Sequence, residues 1–141
     1  MKAHIAKNQH AGTPAMLVWN LSAGDRGKLD GMAAAFGMRI LPVAPADAGR
    51  TVAQLLGEAE GGAPAPAQTP ADTPAALLAN FREQDLDTLL DLLRQAQVYL
   101  PLKAVATDTN RSWRFSDLLA HLAEERAAYA AAAAQQAAAQ P

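Results

Sequence analysis

Hydroxyls, amides and an indole gather in one short stretch of this chain: Thr107-Asp108-Thr109-Asn110, with Trp113 just beyond and Lys103 just before. Asn20 and Asn80 each close an earlier apolar run. Such groups donate and accept hydrogen bonds without readily giving up protons or attacking carbon, so the chemistry they suit is binding a small polar or anionic ligand. In open α/β sheets ligands bind at the carboxyl ends of parallel strands. Three polar segments following three strands would meet there, with Lys103 adding charge, Trp113 forming a wall and a helix N-terminus favouring an anion. The same residues are also turn formers. Asn and Asp bond their own backbone, Thr and Asn cap helices, and a tryptophan fills the space beneath a turn. Both readings stay open on the sequence.

Other chemistry has weaker support. Ser22-Ala23-Gly24-Asp25-Arg26-Gly27-Lys28 is similar to a phosphate-binding loop, but Leu29 stands where a metal-binding hydroxyl is needed and the first glycine is misplaced. It reads as an ordinary turn. Asp117, His121 and Glu125 are four apart, hence on one helix face, and read as a solvated stripe rather than metal ligands. The only serines are Ser22, Ser112 and Ser116, with no nucleophile motif around them. Asp85, Asp87 and Asp91 fall on the polar side of a helix, unlike an acid–base pair. The expectation is therefore no catalytic set, no metal and no cofactor.

The elements that must position these residues have a limited apolar supply. Of 141 residues half are hydrophobic, but 35 of those are alanine, leaving enough larger side chains for one modest core. Net charge is −2, which argues against a nucleic-acid partner. The basic residues Lys2, His4, Lys7 and His10 read as a solvated arm over residues 1–13. There is no cysteine, which removes thiol chemistry and agrees with a reducing compartment. No apolar run outside the alanine tail has the roughly 18 residues of a membrane span. The expected setting is cytoplasmic, with no membrane partner.

Periodicity predicts an α/β fold. Ala15 to Trp19 is continuously apolar, as in a strand covered on both faces. Ser22 caps a helix with the stripe Leu29, Met32, Ala33, Phe36, ended by Gly37. A second strand spans Met38 to Val43. Thr51 and Gln54 have capping-box spacing before the stripe Val52, Leu55, Leu56, Ala59. Residues 57–74, rich in Gly, Ala and Pro, read as a flexible linker. The pattern then repeats: a strand over Ala75 to Ala79, a helix with Leu86, Leu89, Leu90 and Leu93, a strand from Val98 to Ala106, and a helix with Phe115, Leu118, Leu119 and Leu122. Residues 127–141 form an Ala/Gln-rich tail that can prolong that last helix.

The chain thus divides into two β-α-β-α halves, residues 14–56 and 75–126. Met16 to Leu21 lies over Ala76 to Phe81 at an offset of 60, and Val52 and Leu55-Leu56 lie over Phe115 and Leu118-Leu119 at an offset of 63. This reads as an internal duplication, although any two such units look alike. The simplest assembly is one small, mainly parallel four-stranded sheet packed by helices, with the strand bearing Pro101 and Lys103 at an edge.

Pro101-Leu102-Lys103-Ala104-Val105, Thr107, Thr109-Asn110, Trp113 and the helix from Phe115 to Glu125 resemble a bacterial and archaeal family, the domain-of-unknown-function family 3783. The leucine-rich helix from Asp85 to Leu93 fits it as well. The likeness covers residues 75–125 and implies a fold and a motif, but no reaction. It departs at Arg114, where a Thr or Ser cap would stand; Ser112 and Ser116 are the substitutes at hand. Two expectations follow: a non-catalytic interaction or regulatory module with a protein partner or self-association, or a small-ligand-binding domain using the loop after the last strand.

Overall fold

The computed structural model describes residues 12–61 and 72–139. Most of the expected arm and the middle of the expected linker lie outside the described residues.

Strands β1 (Ala15–Trp19) and β3 (Ala75–Ala79) are buried at every position. They are continuously apolar because helices cover both faces of the sheet. Each runs into an asparagine with a left-handed backbone, Asn20 at φ 59° and Asn80 at φ 69°. Asparagine is among the few residues with a side chain that enter this region readily. Helix α1 (Ala23–Phe36) starts where the Ser22 hydroxyl accepts the Asp25 N–H at 3.1 Å and stops at Gly37, φ 60°. Strand β2 (Arg39–Pro42) follows, then a single 3-10 turn and helix α2 (Val52–Leu55). The expected capping box closes α2: Gln54 N–H reaches Thr51 Oγ1 at 3.1 Å and Thr51 N–H reaches Gln54 Oε1 at 2.9 Å.

In the second half, α3 (Glu83–Gln95) leads to β4 (Leu102–Val105), a 3-10 turn at Asn110–Ser112 and α4 (Phe115–Ala139). Three boundaries differ from expectation. Helix α2 is one turn long, because Gly57 at φ 80° reverses the chain and Glu58 N–H bonds back to Ala53 O, leaving Ala59 exposed. Strand β4 starts after Pro101 rather than at Val98, because Gln97 at φ 59° first turns the chain so that Val98 N–H closes on Leu93 O. Helix α4 begins at Phe115 with Arg114 O accepting the Leu118 N–H at 3.1 Å. Neither serine substitutes as its cap: the Ser112 hydroxyl donates to Thr109 O, and the buried Ser116 hydroxyl has no partner among the described residues.

The sheet order is β2-β1-β3-β4. It is mixed: β1–β2 and β3–β4 are parallel, and the central pair β1–β3 is antiparallel. The central register runs from Ala15↔Ala79 through Leu17↔Leu77 to Trp19↔Ala75. Shifting between halves by the offset of 60 turns each pair into another pair of the same ladder, with Leu17↔Leu77 mapped onto itself. A second contact does the same at the offset of 63. Thr51 and Arg114 form an antiparallel bridge, with Val52 N–H on Trp113 O at 3.0 Å and Phe115 N–H on Arg50 O at 2.9 Å.

Alternate strand residues feed two cores. Ala15, Leu17, Trp19, Ala75, Leu77 and Ala79 pack with Val52, Phe115, Leu118 and Leu119 from α2 and α4. Met16, Val18, Ala76 and Leu78 pack with Leu29 of α1 and Leu89 and Leu93 of α3. Helix α4 outruns its core: every residue from Glu124 to Ala138 is exposed. Among the described residues no helix is long and apolar enough to cross a membrane.

Candidate functional site

The antiparallel centre separates residues that an all-parallel sheet would have gathered. Strands β1 and β2 run opposite to β3 and β4, so their carboxyl ends lie at opposite ends of the sheet. Asn20 therefore sits at the far end from Asn80 and the Thr107–Asn110 loop. Its side-chain amide bonds the Asp72 carbonyl instead. Lys103 lies on β4 itself, exposed, with its ammonium on Leu100 O at 2.7 Å.

Asn80 and the Thr107–Asn110 loop do share one end, and the local sequence explains the loop's shape. Thr107 N–H donates to Asn110 Oδ1 at 2.8 Å while Asn110 N–H donates to Thr107 Oγ1 at 3.0 Å. This reciprocal box has the logic of a helix N-terminal capping box. The other arm of the Asn110 amide donates to Val105 O at 3.1 Å. Both arms of that amide are thus spent on the turn. Asp108 and Thr109 are exposed at its tip.

Sequence reasoning passed over Arg111. Its side chain is only 15% exposed, with Nε 2.9 Å from Glu58 Oε1 and one terminal nitrogen donating to Asn80 Oδ1 at 3.0 Å. Asn80 in turn donates to Thr13 O at 3.3 Å. The guanidinium therefore ties the last turn to the segment that follows α2 and to the residue just after β3, and its planar fork suits such a double contact. No spacing rule pointed to it, because Glu58 lies at the start of what reads as a linker.

Trp113 packs toward α4. Its ring meets the His121 imidazole edge-on, centroids 5.5 Å apart at 83°. Together they border an open groove of about 580 Å³ that also includes Arg114, Asp117 and Glu124. His121 Nε2 lies 3.3 Å from Glu125 Oε2, an i,i+4 contact on the helix surface. No group of three or more His, Asp or Glu among the described residues is arranged to hold a metal ion. The loop at Ser22 to Lys28 serves packing: Asp25 accepts the Tyr99 N–H at 3.0 Å, and the Lys28 ammonium donates to Ala96 O at 2.7 Å, fastening α1 to the end of α3.

No curated protein and no solved structure matches the chain. The residues that match a family begin one position before β3 and end within α4, so they take in Asn80, β4, the Thr107–Asn110 box, Arg111 and Trp113 but not the first half: residues 74–129 match the domain of unknown function DUF3783.

Proposed function

We propose that this chain is a non-catalytic interaction module, built of two duplicated β-α-β-α halves, that receives an extended segment of a protein partner along the β4 edge. One observation carries the reading. The large hydrophobic side chains most exposed among the described residues are Tyr99 at 60%, Val105 at 45% and Tyr129 at 79%. All three attend one edge strand: Tyr99 enters it, Val105 lies on it, and Tyr129 lines a groove beside it with Leu102 and Leu122. A second groove, bordered by Leu90, Leu93, Val98 and Lys103, flanks the other face of the strand. Exposed apolar side chains spread along one strand edge suit an interaction surface, and an open strand edge offers backbone hydrogen bonds to an added strand. Lys103 and Arg126 have no carboxylate partner among the described residues. The charge complement is therefore an acidic, partly apolar segment. A cytoplasmic setting accords with a chain without cysteine.

The competing reading is a small polar or anionic ligand at the loop after β4. The hydrogen bonding of Asn110 weighs against it, because both the oxygen and the nitrogen of its amide are already held by the turn's own backbone, which fixes the side chain in a structural role. Two measurements decide. A photo-crosslinking residue at Val105, introduced in the producing cell, yields a discrete protein adduct that Lys103→Glu abolishes, whereas the same residue at Arg39 on the β2 edge yields none. Thermal unfolding against metabolites, nucleotides and metal ions shows no compound that stabilises wild type and not Asn110→Ala. A ligand at 100 times its dissociation constant adds about 2.7 kcal/mol, an easily read shift. Such a shift, or equal adducts at both edges, sinks the interaction reading.

A further inference from the structure

We infer that the surface by which the second half meets the first is self-complementary, so that a second copy of a DUF3783-type unit fits it, β3 pairing antiparallel with β3 of that copy. The inference stands on the central register and is independent of what binds at β4. A two-fold interface requires that residue i contact j and that j contact i. The β1–β3 ladder meets this condition once β1 numbers are raised by 60, with Leu77 facing its own copy and Ala75 facing Ala79. The Thr51–Arg114 bridge meets it at its own offset: its two flanking hydrogen bonds, Val52 N–H to Trp113 O and Phe115 N–H to Arg50 O, are images of each other. These are backbone contacts, so they survive exchange of the side chains around them.

The side chains permit the exchange. In the intact chain Trp19 packs on Phe115 with centroids 6.1 Å apart, while the symmetry-related place holds Ala79 and Val52, both buried in the same core. One place thus has two aromatics and the other two small residues. Two second halves would set Ala79 against Phe115 at both places, one large and one small residue each time. What they would lose is Glu58 opposite Arg111. That contact, with the covalent tether that raises the local concentration of the first half, keeps the intact chain paired within itself. A unit without such a first half turns to another copy of itself.

Two full-length variants test this. In the first, residues 14–56 are replaced by a copy of residues 74–119, leaving residues 57–141 in place. The expected product is a monomer with one cooperative thermal transition and the far-ultraviolet spectrum of wild type. In the second, Leu17→Pro removes β1 from the ladder. This chain is expected to sediment at twice the 14.8 kDa of the wild-type monomer. Adding Leu77→Cys, in a chain otherwise without cysteine, links the dimer under mild oxidation. Ala75→Cys does not, because its copy lies four residues along the ladder, about 13 Å away. A chimera that fails to fold overturns self-complementarity. So does a Leu17→Pro chain that stays monomeric, or a dimer that links equally through both positions.

Discussion

Replacing Asn110 by alanine separates a structural turn from a binding site, and the expected cost follows from the hydrogen bonds. The substitution removes the acceptor for Thr107 N–H at 2.8 Å and the donor to Val105 O at 3.1 Å, and leaves the backbone bond from residue 110 to Thr107 Oγ1 in place. A typical intramolecular hydrogen bond contributes about 0.5–1.5 kcal/mol net. The turn borders solvent, and water can reach the freed groups, so the pair is worth about 1–2 kcal/mol. For a domain of this size that lowers the unfolding midpoint by roughly 3–8 °C. Asn110→Asp keeps the acceptor and loses the donor, so it should fall about halfway. Differential scanning calorimetry on the three proteins reads both steps. An alanine variant with an unchanged midpoint would show that the amide is not spent on the turn, and the argument against a ligand there would collapse.

Three further outcomes are expected. Arg111→Met should cost about 1–3 kcal/mol by chemical denaturation, because it leaves Glu58 and Asn80 without their shared donor; a loss no larger than that of Glu58→Gln alone would mean the Asn80 contact contributes nothing. Leu77→Ala, at the centre of the ladder and 1% exposed, should cost about 2–5 kcal/mol, a large part of a stability of about 5–15, and a smaller loss would show that the two cores close over the gap. Ser116→Ala should leave stability unchanged or raise it by up to about 1 kcal/mol, since its buried hydroxyl has no partner among the described residues; a lower midpoint would reveal a bond to a bound water.

Local signals in the sequence carried far. Ser22, Gly37 and the Thr51–Gln54 box act where their chemistry is strongest, at helix ends, and these three caps are present, whereas neither Ser112 nor Ser116 caps α4. The offsets of 60 and 63 proved to be those that relate paired residues, Leu17 with Leu77 and Thr51 with Arg114. Strand direction was not legible. Ala15 to Trp19 and Ala75 to Ala79 are apolar at every position, so they fit a central place equally well parallel or antiparallel. That ambiguity misplaced Asn20 relative to the rest of the candidate site. The shortening of α2 and β4 hinges on Gly57 and Gln97 adopting positive φ, which composition alone does not dictate for a glutamine. Arg111 escaped notice because its partners come from distant parts of the chain.

The bond from Asn110 to Val105 has a consequence for aggregation. Leu102 N–H and Ala106 N–H point inward to Pro74 O and Leu78 O, so the outward backbone groups of β4 belong to Lys103 and Val105. Asn110 already occupies the Val105 carbonyl. A strand arriving at this edge finds only the Lys103 N–H and carbonyl and the Val105 N–H, and cannot propagate past the turn. Long, flat edges template fibrils, and natural sheets blunt them with short strands and lysine. Here the amide that shapes the turn also truncates the template, so Asn110→Ala should shorten the lag before fibrils form as well as lower the midpoint.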